Sequence, residues 1–312
     1  MSPVIPSYIA KRCPVPFVIG PVLGALPWPR GFRKDMLRER EWMNYIRPIH
    51  RYLPYYRSTY DNAAAVLSAY AHTIKDIPKT ASNKIIEFSE GGINPSDFAM
   101  KPYNNSDTKT VLFVGRMVPF KQPELLVQCF ARSKYLQKHR LVMVGDGPEL
   151  PRLKSLIEEK NLGGVIELKG TLPLPEVIEL MHLASVFAFP SIREQGGGVL
   201  TQASMAGTPS IVVDYGGPSA RVPEGCGIRI PLGDFEQIEQ GFRQALEELL
   251  SSPKRIESLG RAAREFTESF YSWNFKAQKT MEIYQWVLGV TEKKPGYWEN
   301  SALGEDRKPG SA

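Results

Sequence analysis

Between residues 108 and 270 the chain repeats one pattern: a short apolar run, a turn often marked by glycine, then a helix-forming stretch. T-V-L-F-V-G (110–115), R-L-V-M-V-G-D-G (140–147), V-I-E-L-K-G (165–170), S-V-F-A-F-P-S (185–191), T-P-S-I-V-V-D (208–214) and G-C-G-I-R-I (225–230) read as six strands. Helices are expected over 123–138, 150–160, 175–184, 200–206 and 234–250. Nearly continuous apolar strands are buried on both faces. The alternation therefore predicts an α/β fold with a parallel sheet covered by helices on both sides. Ligands of such sheets bind at the carboxyl ends of the strands.

The first 107 residues follow a weaker version of the pattern. Strands are expected at 16–21, 63–68 and 84–89, and helix over 33–60 with breaks at Pro48 and Pro54. Three strands and few helices resemble the back half of a second Rossmann-like domain, which normally has about 100–150 residues. The expected organisation is a partial N-terminal domain (1–107) and a complete C-terminal domain (108–272). A last amphipathic helix is expected over 273–289, and a Lys-, Gly- and Pro-containing tail (290–312) would be disordered.

No apolar run approaches the roughly 20 residues of a transmembrane helix. The first residues lack the basic start and apolar core of a secretory signal. Three widely spaced cysteines and four scattered histidines offer no zinc-type spacing and fit reduced thiols in a cytoplasmic protein. The net charge is +6, and its excess is uneven: residues 30–57 hold eight basic and three acidic side chains among Phe32, Trp42, Tyr45, Tyr52, Tyr55 and Tyr56. A solvated helix pair and a surface for anionic lipid or an anionic acceptor both fit that segment. No nucleic-acid motif accompanies it, so no nucleic-acid partner is expected.

Chemistry concentrates at the strand ends. Gly115 and Arg116 follow the first strand of the repeat, and Lys121 lies five residues on. Two fixed cations there suit a diphosphate. Gly145, Asp146 and Gly147 end the next strand. Gly196, Gly197 and Gly198 precede a helix whose N-terminus, with its unpaired N–H groups, attracts anions. Glu194 stands just before that loop, where a carboxylate can bind vicinal sugar hydroxyls, and Gln202 falls in the helix within reach of a ribose. None of the nine aspartates forms a D-x-D pair, and there is no G-x-x-x-x-G-K-[ST] loop. No metal or cofactor is therefore expected, and cations with a helix N-terminus would neutralise a leaving diphosphate.

Taken together, V-G-R-M-V-P-F-K (114–121), V-M-V-G-D-G-P-E-L (142–150), V-F-A-F-P-S-I-R-E (186–194), G-G-G-V-L-T-Q-A-S-M-A-G-T-P-S-I (196–211), Y-G-G-P (215–218) and F-Y-S-W (270–273) resemble glycosyltransferase family 4, of GT-B fold. The resemblance covers 108–288 well and 14–107 more weakly. It implies a retaining, metal-independent transferase moving a sugar from a nucleotide-diphosphate sugar, held between two Rossmann-like domains, to a polysaccharide or lipid-linked acceptor. It assigns the diphosphate to Arg116 and Lys121, the sugar to Glu194, and the rest of the donor site to Gly115, Gly145, Asp146, Gly147, Leu172, Gly196, Gly197, Gly198, Val199, Leu200 and Gln202. It makes 1–107 the acceptor side, 108–272 the donor-binding domain and 273–289 a return helix packing on the first domain. Work on the cytoplasmic face of a membrane is the accompanying expectation, with the basic, aromatic segment 30–57 toward lipid or acceptor.

Two departures from the family pattern stand out. The second acid of its E-x7-E motif is Gln202 here, and the first part of its N-terminal domain has no counterpart. Two further expectations stay open: a truncated or non-catalytic GT-B protein, and one subunit of a split transferase completed by a partner chain.

Overall fold

The computed structural model describes residues 6–24, 26–39, 47–99 and 106–298. The N-terminal half holds β1 (Val18–Val22), α1 (Arg33–Arg38), α2 (Tyr56–Asp61), β2 (Ala65–Ser68), α3 (Ala71–Ile74) and β3 (Ile85–Glu87). The C-terminal half runs β4 (Thr110–Val114), α4 (Pro123–Arg132), β5 (Arg140–Val144), α5 (Leu150–Glu159), β6 (Ile166–Gly170), α6 (Leu174–Leu183), β7 (Val186–Phe189), α7 (Gly198–Met205), β8 (Ser210–Val213), α8 (Gly217–Arg221), β9 (Gly227–Ile230) and α9 (Phe235–Leu250). Two long helices close it, α10 (Pro253–Tyr271) and α11 (Trp273–Val287).

The strands form two parallel sheets, one ordered β1-β2-β3 and one ordered β6-β5-β4-β7-β8-β9. In the larger sheet the order reverses between β4 and β7, the switch point at which such sheets open a crevice. Residues 186–189 and 210–213 are buried throughout, as expected of central strands covered on both faces. Phe113, Phe187 and Phe189 stack in the core beneath that crevice.

Helix ends follow local chemistry. Asp234 caps α9 by accepting from the Gln237 amide, while the Gln237 side chain accepts from the Asp234 amide. The helix expected over 123–138 stops at Arg132. Ser133 turns to extended backbone, and its hydroxyl takes the Leu136 amide.

Three features depart from the sequence-based expectation. First, α10 was not anticipated. Pro253 opens it, and Ile256, Ala263, Phe266 and Phe270 form its buried stripe. Second, order does not end at Val290. Residues 291–298 return to the N-terminal sheet, where Tyr297 is buried and donates to the Phe270 carbonyl at 2.6 Å. The Trp298 ring NH reaches the Glu87 carboxylate at 3.0 Å. Two aromatic rings with satisfied polar tips anchor what composition alone reads as a disordered tail; the remainder of that tail, 299–312, lies outside the described residues. Third, the basic segment is partly buried. Phe32 and Trp28 join the C-terminal core, Met36 is buried, and Arg38 pairs with the buried Glu149 at 2.6 Å. Trp42 and Tyr45 lie outside the described residues.

The halves are joined by more than sequence. After β3, Ile93 donates to the Tyr271 carbonyl (2.8 Å) and accepts from Trp273 (3.1 Å), so it bridges the α10–α11 junction. Helix α11 then lays Ile283 against Ala65, Leu67, Ile86 and Phe88 of the small sheet. Among the described residues no helix is long and apolar enough to cross a membrane.

Candidate donor site

A cavity of about 370 Å³ opens at the carboxyl end of β4, beside the switch point. Its walls include Gly115, Lys121, Leu172, Glu194, Gly197, Gly198, Val199 and Gln202, eight of the fourteen residues expected there. The turn after β4 folds because the Gly115 amide bonds Val144 and the Met117 amide bonds Asp146 (2.8 Å). That turn delivers Lys121, whose ammonium sits 4.5 Å above the Phe189 ring and is paired with the Glu194 carboxylate. Both side chains are mostly buried, at 12% and 19% exposure. A salt bridge so placed is costly to desolvate unless both ends are well bonded. The other Glu194 oxygen accepts from the Gly197 amide at 3.4 Å.

Gly197 has φ +66, a left-handed conformation that glycine adopts without strain. That turn starts α7 directly, so the helix begins at Gly198 rather than near Leu200 as expected. The first amides of a helix have no intrahelical partner, and Gly198 and Val199 carry theirs at the cavity wall. A Cβ at Gly198 would meet nothing within 4 Å. The site is thus a cation, a carboxylate and a helix N-terminus around an open volume, with Leu172, Leu174 and Val177 as its apolar side.

The other six expected residues stand elsewhere. Arg116 is exposed, 5.7 Å from the centre of the Phe120 ring, and does not line the cavity. Asp146 is exposed and accepts from the Gly147 amide. Gly145 and Gly147 serve backbone packing rather than the cavity: added Cβ atoms would lie 1.9 Å from the Gly115 carbonyl and 2.5 Å from that of Met117. Leu200 is fully buried in the core. Gly196 faces Glu90 of the N-terminal half, whose carboxylate would lie 2.0 Å from a Cβ there. Sequence reasoning did not single out Glu90, Tyr70 or Arg221, which contact Gly196, or Lys276, which bonds Ser89 beside Glu90. Only the polarity of Glu90, just after a strand, was available as a signal.

Lys276 is 4% exposed, donates to the Ser89 carbonyl and lies 4.2 Å above the Phe88 ring. Burial first, then the nearby Arg221 charge, pull its pKa down to about 8 from the ordinary 10.5. The unfolded chain therefore binds more protons between those values, and this lysine's destabilising contribution fades as pH rises through them. Urea unfolding at pH 7.5 and 9.5 should show stability rising more with pH in the unaltered chain than in Lys276→Met. Identical slopes would contradict the burial argument.

A parallel sheet with a crevice at its switch point, beside a helix N-terminus, defines the doubly wound class of α/β protein, whose ligands bind at that point. The profile described as Glycosyl transferases group 1 matches residues 96–266, and the chain belongs to that family. It is 30% identical over 190 residues to the D-inositol 3-phosphate glycosyltransferase of Kribbella flavida, covering 57% of this chain and 44% of that protein. It is 29% identical over 186 residues to the alpha-maltose-1-phosphate synthase of Mycolicibacterium smegmatis, covering 57% and 48%. The chain thus spans less than half the length of these two relatives. Among solved structures, sucrose-phosphate synthase of Thermosynechococcus elongatus superposes with a TM-score of 0.67 at 23% identity, covering 86% of this chain and 68% of that one. HepE of Anabaena, in complex with UDP, gives 0.62 at 16% identity, covering 85% and 72%. These likenesses establish a GT-B-type fold.

Proposed function

We propose that the chain binds a nucleotide-diphosphate sugar in the 370 Å³ cavity and transfers the sugar, with retention, to a saccharide or lipid-linked acceptor. The carrying observation is the Lys121–Glu194 pair facing the first turn of α7. Without ligand each charge neutralises the other. A donor separates the tasks: Lys121 and the amides of Gly198 and Val199 take the diphosphate, and Glu194 takes sugar hydroxyls. Arg116, next in sequence to the cavity-lining Gly115, adds a second cation to the phosphates in this reading. Charge developing on the leaving diphosphate is then met by fixed donors, which lowers the barrier without reorganisation. The leaving phosphate itself takes the proton of the attacking hydroxyl. No metal enters this reading.

Gln202 lines the cavity, and in this reading its neutral amide meets the ribose. Gln202→Glu should tighten donor binding about fivefold, the worth of roughly 1 kcal/mol for a charge-assisted bond. Calorimetry on both proteins checks this, and weaker or equal binding would remove Gln202 from the ribose. Transfer itself is tested by release of nucleoside diphosphate from UDP-, GDP- and ADP-sugars in the presence of candidate acceptors. Retention is tested by the anomeric proton of the product.

A second reading is favoured by the small sheet. Among the described residues it has three strands, with β1 and β3 at its edges, and Tyr8, Ile9 and Val15 are exposed in the same half. In this reading the chain is the donor half of a transferase completed by another polypeptide. Activity that appears only on adding that polypeptide would support it. Acceptor or lipid contact is assigned to the exposed Ile49, Tyr52, Leu53 and Tyr55 beside Arg51 and Arg57.

A further inference from the structure

The glycine loop is not held by its own half alone. The Gly196 carbonyl accepts from the Tyr70 hydroxyl at 3.1 Å and from Nε of Arg221. Tyr70 lies just past the carboxyl end of β2, in the N-terminal sheet. Arg221 ends α8 and is 4% exposed, and the rest of its guanidinium is also engaged. Nη1 donates to the Thr201 hydroxyl of α7 at 2.6 Å, and Nη2 donates to the Tyr70 hydroxyl at 3.2 Å. The group lies 4.9 Å from the centre of the Tyr271 ring, at the end of α10.

A buried guanidinium normally takes a carboxylate at bonding distance. Here, among the described residues, the one carboxylate in range is Glu90 at 4.0 Å. The donors go instead to three neutral oxygens: the loop carbonyl, the first turns of the α7 helix and the opposite sheet. Such an arrangement fixes geometry more than it neutralises charge. The planar fork suits that task, because it holds several acceptors at set angles where a lysine offers one freely rotating ammonium.

We propose that Arg221 is the positioning residue through which the N-terminal sheet sets the shape of the donor loop. Gly196 immediately precedes the left-handed Gly197 and the first α7 amides at Gly198 and Val199. Holding its carbonyl fixes the peptide plane and thereby aims those amides into the cavity. Tyr70 couples the hold to the other half, and Glu90 seated over Gly196 prevents the two from closing further. The donor site is therefore fully formed only while the small sheet is docked. The geometry stands independently; its consequence for ligand binding rests on the donor-site reading above.

The test is hydrogen–deuterium exchange on the unliganded full chain, with Arg221→Met, Arg221→Lys and Tyr70→Phe. Peptides covering 193–203 should exchange several-fold faster in Arg221→Met and in Tyr70→Phe, with Arg221→Lys between Met and the unaltered chain. Peptides of β4 and β5 should not change. An arginine that merely stabilises the fold would raise exchange across the sheet as well, which would overturn the proposal. So would unchanged loop exchange in Tyr70→Phe, a variant that loses one hydroxyl and serves even if Arg221→Met fails to fold. In parallel, nucleoside-diphosphate affinity should fall about tenfold in Arg221→Met, the scale of a lost charge-assisted contact. If the unaltered chain binds no nucleoside diphosphate, the donor-site reading falls, while loop exchange still decides the role of Arg221.

Discussion

Lys121→Ala is expected to weaken binding of a nucleoside diphosphate by about 10–100-fold while leaving nucleoside affinity nearly unchanged. The lysine is the cation deepest in the cavity, 12% exposed and set against the Phe189 ring. In so dry a place its contact with phosphate is poorly screened. The substitution acts twice. It removes the cation, and it leaves the Glu194 carboxylate unneutralised beside an anionic ligand. Both effects fall on the phosphates and neither on the base. Titration with nucleoside, monophosphate and diphosphate separates them, and an equal loss for all three would show that Lys121 supports the fold rather than the ligand.

The second large effect concerns stability. Gly145→Ala should cost about 3–5 kcal/mol, enough to unfold a marginal chain, because a strained φ and an uncompensated overlap act together. Gly145 has φ +133, and its Cβ would lie 1.9 Å from the Gly115 carbonyl. Neither side can yield, since the Cβ is fixed to one backbone and the oxygen belongs to the other, both just past the ends of the paired strands β4 and β5. By contrast, Gly198→Ala meets nothing within 4 Å and should leave the urea midpoint within the small range of surface changes. Both glycines were expected to approach a ligand. The contrast between them is the difference between a glycine that admits its neighbour and one that borders open space.

Much of the fold could be read from the sequence because each strand of the large sheet is a separate apolar run bounded by glycine or proline. That Glu194, the glycine loop and Gln202 share one wall of the cavity could be read because they are close in sequence. The Lys121–Glu194 pairing was not anticipated: 73 positions separate the two, and the family resemblance assigned them separate tasks. Helix α10 was overlooked although Ser252-Pro253 and the spacing of Ile256, Ala263, Phe266 and Phe270 mark it; its many charges mask the stripe. The ordered stretch 291–298 depends on two aromatic side chains within a polar tail, which composition averages away. The contacts of Gly196 with Tyr70, Glu90 and Arg221 arise from the docking of two halves, and no local pattern encodes that docking.

The most direct measurement is calorimetric titration of the purified, demonstrably folded chain with UDP, GDP, ADP and their sugar conjugates, without added metal. A donor site built on Lys121, Glu194 and the α7 N-terminus predicts saturable, one-to-one binding that favours one base and falls sharply in Lys121→Ala. Absence of binding to all of them, or binding indifferent to that substitution, would contradict it.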